Sequence, residues 1–243
     1  MSNFQRFIVA SDIHGDEQDV AANKVLFEFK EVWKPDVSIC AGDLWNFAAL
    51  RKKASEEEKR TSLKADYKAG LQWFEKFQAD HFLRGNHCER LWDLREENKG
   101  PISDFAANLI ADFEKVRKSI GTKMFPYDIR DGVLEIGKLR VLHGFYCGIN
   151  AARRSAQVWG SCLVGHGHTT QIAAIEGPEN RVGRMIGCLC HLNMKFLRAQ
   201  PSSLLHRHGF AYGIIDKKKG TYQTHQAEQV GDKWILPSSF KEY

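Results

Sequence analysis

The strongest constraint on this chain is how its apolar runs end. Five short runs, Phe7 to Ala10, Val37 to Ala41, Phe82 to Leu83, Val141 to Leu142 and Leu163 to Val164, each lead into glycine beside aspartate, asparagine or histidine. The first continues as Ser11-Asp12-Ile13-His14-Gly15 and the second as Gly42-Asp43-Leu44-Trp45-Asn46. The third runs into Arg84-Gly85-Asn86-His87, the fourth into His143-Gly144 and the fifth into Gly165-His166-Gly167-His168. Runs this short and this apolar read as buried strands. In an open α/β sheet the ligand crevice lies at the carboxyl ends of the strands, so these polar residues should converge. Glycine beside them permits a tight turn and a close approach of backbone to ligand.

Helical patterns fill the intervals. Val25, Phe29, Val32 and Trp33 share one face and the pattern stops before Pro35. Ser55-Glu56-Glu57-Glu58 has the form of a capping box and predicts a helix start there, continuing through Tyr67, Leu71, Phe74 and Phe77. A third helix is predicted around Phe105, Leu109, Phe113 and Val116, with Ser103 as its cap. Beyond about Met185 short apolar runs alternate with turns such as Asp216 to Gly220, which reads as β hairpins completing the same sheet system. Strands alternating with helices give an α/β layered fold. No linker interrupts the 243 residues, so a single domain over 1–243 is expected.

Composition narrows the class without naming a partner. Hydrophobic residues make up 43% and charged ones 27%, which excludes a disordered chain. With 35 Lys+Arg against 30 Asp+Glu the net charge of +5 is too small to mark a nucleic-acid binder by itself. The run Phe7 to Ala10 is too short for a signal-peptide core or a membrane span. Six cysteines form no C-x-x-C pair, which predicts free thiols and a cytoplasmic location with no membrane association.

The convergent donors are Asp12, His14, Asp43, Asn86, His143, His166 and His168. Oxygen and imidazole without thiolate suit manganese, iron, zinc or cobalt rather than a structural zinc cage. Seven donors exceed the need of one ion and suffice for two if a carboxylate bridges. Ions paired roughly 3.5–4 Å apart are a recurrent device for phosphoryl transfer.

In order, D-x-H, G-D-x-x-N, G-N-H, H-G and G-H-x-H resemble the motifs of the calcineurin-like metallophosphoesterase family, across Asp12 to His168. The resemblance implies a four-layer αββα sandwich of mixed sheets with a dinuclear site at the strand ends. It implies that Asp12, His14 and His168 hold one divalent ion, that Asn86, His143 and His166 hold the other, and that Asp43 bridges. Manganese is the first expectation for the pair, with iron, zinc, cobalt and nickel as alternatives. By the same resemblance His87 lies beside the ions, stabilising phosphate and protonating the leaving oxygen, with Asn46 orienting it. Cys88 stands where the family commonly has Asp or Glu. The segment Leu44-Trp45-Asn46-Phe47-Ala48 lacks the Asp-Arg-Gly of phosphoprotein phosphatases.

The resemblance therefore implies a phosphate ester hydrolase in which hydroxide held between the ions attacks phosphorus. A phosphodiester, in a nucleic acid or nucleotide, is the first expectation for its substrate. A monoester phosphatase and a metal-loaded interaction module without turnover are the alternatives. Arg153 and Arg154 follow the His143 loop on a predicted helix and are candidate substrate-binding residues. Trp45, Phe47 and Tyr146 flank the donors and have two uses open to them, stacking on a base or packing in the core. His81, His191, His206, His208 and His225 belong to no motif and are expected outside the site, although His206-Arg207-His208 could line the cleft. Cys188-Leu189-Cys190-His191 has poor spacing for a metal. Arg51-Lys52-Lys53 reads as a solvated helix entry.

Overall fold

A computed structural model describes residues 3–177, 179–194 and 200–236. The first expected strand is β1 (Phe4–Ala10), followed by β2 (Val37–Cys40), β3 (His81–Leu83) and β4 (Lys123–Phe125), all parallel. A second, five-stranded sheet contains β5 (Val133–Ile136), β6 (Leu139–Leu142), β7 (Cys162–Val164), β8 (Thr170–Ile175) and β9 (Arg181–Ile186), in the order β5-β6-β7-β9-β8. The chain then returns to the first sheet as β10 (Gly209–Asp216), β11 (Tyr222–Val230) and β12 (Lys233–Ile235), antiparallel beside β1. The first sheet thus has seven strands in the order β12-β11-β10-β1-β2-β3-β4.

The period-2 alternation of β1 explains why the sheets stack. Phe7 and Val9 face the second sheet and pack with Ile39, Leu83, Val141, Leu163 and Ile186. Ile8 and Ala10 face the opposite way, onto α1 (Val20–Trp33), α2 (Leu63–Phe77), α3 (Asn86–Glu97) and α4 (Pro101–Ile120). On the far side of the second sheet, α5 (Ala151–Trp159) packs Ala151, Ala152 and Trp159 against Leu142, Val164 and Met185. The result is the four-layer αββα sandwich. No helix among the described residues is long and apolar enough to cross a membrane.

The helical layer is held by an aromatic cluster. Trp45 meets Phe113 edge-on at 4.9 Å, and Phe74 meets Phe82 the same way at 5.5 Å. Each ring removed from water contributes about 1.5–3 kcal/mol, and each such pair adds about 0.5–1.5 kcal/mol. Trp45 and Phe47 are both fully buried, which rules out their stacking on a base.

Two predicted helix starts are corrected. The Ser55–Glu58 box forms: Ser55 Oγ accepts from Glu58 N at 3.2 Å, and Glu58 Oε2 accepts from Ser55 N at 2.7 Å. It closes only a 3-10 turn at Glu58–Arg60, and α2 begins after it with Ser62 as cap, accepting from Ala65 N. Glu58 also pairs with Arg51 at 2.7 Å, which folds the segment back on itself instead of extending it. Arg51, Lys52 and Lys53 are therefore an exposed turn and not a helix entry. Ser103 caps nothing, because α4 starts at Pro101 after Gly100 and Ser103 Oγ donates to Arg95 O.

Candidate metal centre

All five strand ends meet at one edge of the sandwich, and the backbone there is unusual. Asp12 (φ 57°), His14 (55°), Asp43 (45°), His166 (67°) and His168 (52°) all occupy the left-handed region. Non-glycine residues pay roughly 1–2 kcal/mol for that conformation and cluster where function over-determines it. The neighbouring glycines make the crowding tolerable. A Cβ on Gly42 would lie 2.4 Å from the His143 ring, and one on Gly85 would lie 2.1 Å from Asp43 Oδ1.

One group of donors gathers around Asp12. Its Oδ2 is fixed by the Ser11 hydroxyl at 2.6 Å and the His166 N–H at 2.8 Å. Among the described residues its Oδ1 accepts no well-aligned hydrogen bond, and it faces Nε2 of His168 at 3.2 Å and of His14 at 3.8 Å. The two imidazole Nε2 atoms approach each other to 3.0 Å. The other group gathers around the Asn86 amide oxygen, which lies 3.1 Å from His143 Nε2 and 2.8 Å from His166 Nδ1. His143 donates from Nδ1 to Ala41 O at 2.9 Å, which turns its Nε2 inward.

Asp43 lies between the groups. Its Oδ2 is 3.1 Å from His143 Nε2 and 4.0 Å from His14 Nε2, while Oδ1 accepts the His87 N–H at 2.8 Å. His87 turns its Nε2 toward Asp43 Oδ2 at 4.0 Å. Its Nδ1 is held by Asn46, 2.9 Å from the carbonyl and 3.0 Å from Oδ1. Since both partners are acceptors, Nδ1 carries the proton and Nε2 faces the site.

The electrostatics are those of a cation site. Burial pushes the Asp12 carboxyl up, but the close imidazoles of His168, His14 and His143 outweigh it and hold it well below the usual range. Asp43 is likewise lowered, burial being overcome by His143 and His87. Burial lowers His143 and His168, but Asp43 and Asp12 respectively raise them to about 9. Burial and the charge of His143 push His166 down to about 4. Two carboxylates fully removed from solvent thus share a pocket with converging imidazoles, an arrangement that buried charge tolerates only when paired or bound to metal. Among the described residues, Asp43–His143–His166, His14–Asp43–His87 and His14–His168–Cys190 each bring ligand atoms within 4.8 Å of one another. The donor set, the orphaned Asp12 Oδ1 and the shared Asp43 fit divalent cations.

Other neighbours carry no motif. Cys190 Sγ lies 3.8 Å from His168 Nδ1, and the His206 ring sits 4.9 Å from the His168 ring. His206 thus belongs at the site's wall, contrary to the expectation for motif-less histidines. His81, His191, His208 and His225 do not join the donor groups. Asp66 and Arg90 brace the turn that carries Asn46: Asp66 accepts from Asn46 N and Phe47 N, and Arg90 donates to Asn46 O at 2.8 Å. Neither had a sequence signal: Asp66 reaches the turn from α2, and Arg90 stands one turn beyond Asn86 and His87 on α3 but belongs to no motif. Arg153 and Arg154 lie on the exposed face of α5, where the Arg154 guanidinium stacks on Tyr146 at 4.2 Å.

The sequence profile of the calcineurin-like phosphoesterase family matches residues 5–173, and the chain belongs to that family. No curated protein sequence matches the chain. Several solved structures are similar to it. A phosphatase from Mycoplasma pneumoniae is 12% identical, with 95% of each chain covered and a TM-score of 0.48. An archaeal phosphodiesterase is 14% identical, covers 91% of this chain and 99% of its own, and has a TM-score of 0.46. Vacuolar Protein Sorting 29 from Cryptosporidium parvum is 11% identical, covers 99% and 98%, and has a TM-score of 0.45.

Proposed function

We propose that the protein is a dinuclear metal-dependent phosphodiesterase acting on a nucleotide or nucleic acid. The observation that carries this is the position of Asp43, whose Oδ2 faces donors of both groups, at 3.1 Å from His143 and 4.0 Å from His14. Asp12, His14 and His168 would hold one ion and Asn86, His143 and His166 the other, with Asp43 shared. Manganese fits, as do iron, zinc, cobalt and nickel. Two such ions supply Lewis acidity toward phosphate oxygens and a hydroxide nucleophile at neutral pH.

The protein's own contribution begins with orientation. The Ser11 hydroxyl and the His166 N–H aim Asp12, and the Ala41 carbonyl aims His143. His87, held by Asn46, presents Nε2 where it can hydrogen-bond a phosphate oxygen and give a proton to the departing alkoxide once protonated. A diester suits the charge supply. A diester brings one negative charge and a monoester brings up to two. The guanidinium of Arg90, whose charge acts on His87, is already engaged by the Asn46 and Phe47 carbonyls. Arg153 and Arg154, exposed on α5, would meet further phosphates of a longer substrate. All six cysteines are free, which fits a reducing, cytoplasmic setting.

The test compares bis-p-nitrophenyl phosphate with p-nitrophenyl phosphate on one manganese-loaded preparation, with a chelator-stripped sample as blank. Diester preference is expected. Monoester preference replaces the reading with a phosphatase, and firmly bound metal without turnover on either ester replaces it with an interaction module.

A further inference from the structure

His206 has no place in the donor groups, yet the fold builds it into their wall. Four imidazoles form a continuous row of edge and tilted contacts: His87 to His14 at 4.6 Å, His14 to His168 at 4.9 Å, and His168 to His206 at 4.9 Å. The inner two belong to the Asp12 group. The outer two end the row, and His87 is one of them.

The placement of His206 is fixed by backbone. A 3-10 turn at Pro201–Leu205 delivers it, with His206 N donating to Ser203 O at 3.0 Å. The next residue, Arg207, donates its N–H to the carbonyl of His168 itself at 2.8 Å and accepts from Cys188 N at 3.0 Å. The ring is thereby tied to the residue it packs on. It remains half-buried, and among the described residues its buried Nδ1 has no hydrogen-bond partner. The half-open ring stands beside a donor histidine, at the wall that a ligand entering the site would meet.

We propose that His206 is a substrate-contacting residue, giving the phosphate ester a second imidazole contact at the His168 end of the row as His87 does at the other. It rests on the phosphoesterase reading above. A neutral imidazole can donate to a phosphoryl oxygen from one nitrogen, the kind of contact that sets KM rather than the chemical step when it is equally strong in both states.

The experiment uses the manganese-loaded full chain and inorganic phosphate as probe. Wild type, His206→Ala and His206→Asn are compared for metal content, for phosphate affinity by calorimetry, and for KM and kcat on the preferred p-nitrophenyl ester. Expected for His206→Ala are two retained ions, phosphate affinity weakened about tenfold or more, and KM raised by a similar factor with kcat little changed. His206→Asn, which keeps a polar amide on the same Cβ, should recover part of the loss. Unchanged phosphate affinity in a fully loaded His206→Ala overturns the assignment. So does loss of an ion, which would make His206 a support for His168, and so does a wild type that binds no phosphate. A wild type that binds phosphate but hydrolyses neither ester defeats the enzymatic reading while the calorimetry still judges His206.

Discussion

The two donor groups differ in charge and in how firmly they are aimed. Around Asp12 there is a carboxylate of their own beside the shared Asp43, but the rear nitrogens of the imidazoles are poorly held. Among the described residues, His14 Nδ1 is buried without a partner, and His168 Nδ1 meets only the Cys190 sulfur at 3.8 Å. Around Asn86 the arrangement is reversed. A neutral amide replaces the carboxylate, while His143 is aimed by a carbonyl at 2.9 Å. Lost aiming typically costs tenfold to a hundredfold in metal affinity, about 1.4–2.8 kcal/mol. One unit charge 4 Å from another contributes about 4 kcal/mol at an effective dielectric of 20, and a dication in direct contact gains more. Charge outweighs aiming, so the Asp12 group should be the tighter half.

The largest effect is expected where the two halves meet. Asp43→Ala removes the atom that faces both groups, and elemental analysis should show both ions lost and turnover at background. Retention of one ion at full occupancy would show that Asp43 serves a single half. His87→Ala touches neither half directly and should keep both ions. If its Nε2 carries the leaving-group proton, activity should fall about 10²–10⁴-fold, and further for alkyl leaving groups than for p-nitrophenolate, which needs little protonation. Equal losses for both leaving groups would reduce His87 to an electrostatic role.

Asp12→Asn keeps shape and removes the charge that separates the halves. In the wild type, stepwise chelation of the cobalt-loaded protein should release the ion beside Asn86 first, followed by its visible spectrum. In Asp12→Asn the order should collapse or invert. Simultaneous release in the wild type would mean that aiming and charge cancel, contrary to the ranking above.

These halves were unequally legible in the sequence. Asp12, His14, Asp43, Asn86, His143, His166 and His168 could be read because each follows an apolar run, and parallel strands deliver their ends to one edge. The left-handed backbone at Asp12, His14, Asp43, His166 and His168 was not legible, since it comes from packing between loops that are distant in sequence. Cys190 and His206 reach His168 through the Arg207 and Cys188 hydrogen bonds, contacts without any spacing rule. The capping box at Ser55 shows the opposite failure. Its local chemistry is right, but Arg51 captures Glu58 and the turn does not propagate into α2. Local signals fix what a segment can start, and tertiary partners decide how far it runs.

The smallest effect concerns the brace beneath the junction. Asp66 lies on α2, outside every motif, and accepts from Asn46 N at 3.1 Å and Phe47 N at 2.5 Å, so it holds the turn that aims His87. Burial raises its carboxyl from 3.8 to about 7, more than the Phe47 and Asn46 N–H groups lower it, with Asp16 and Glu17 adding to the rise. A folded-state pKa above the unfolded one means that the fold favours the protonated form. Its contribution is therefore complete below about pH 4 and lost as pH rises through about 7. The shift bounds that contribution at roughly 4 kcal/mol. Urea denaturation of the chelator-stripped protein should show stability falling across this window, and Asp66→Asn, which cannot ionise, should lose that part of the slope. An unchanged slope would mean that the two backbone N–H groups keep Asp66 ionised throughout, and the brace would then work as a fixed charge under both halves.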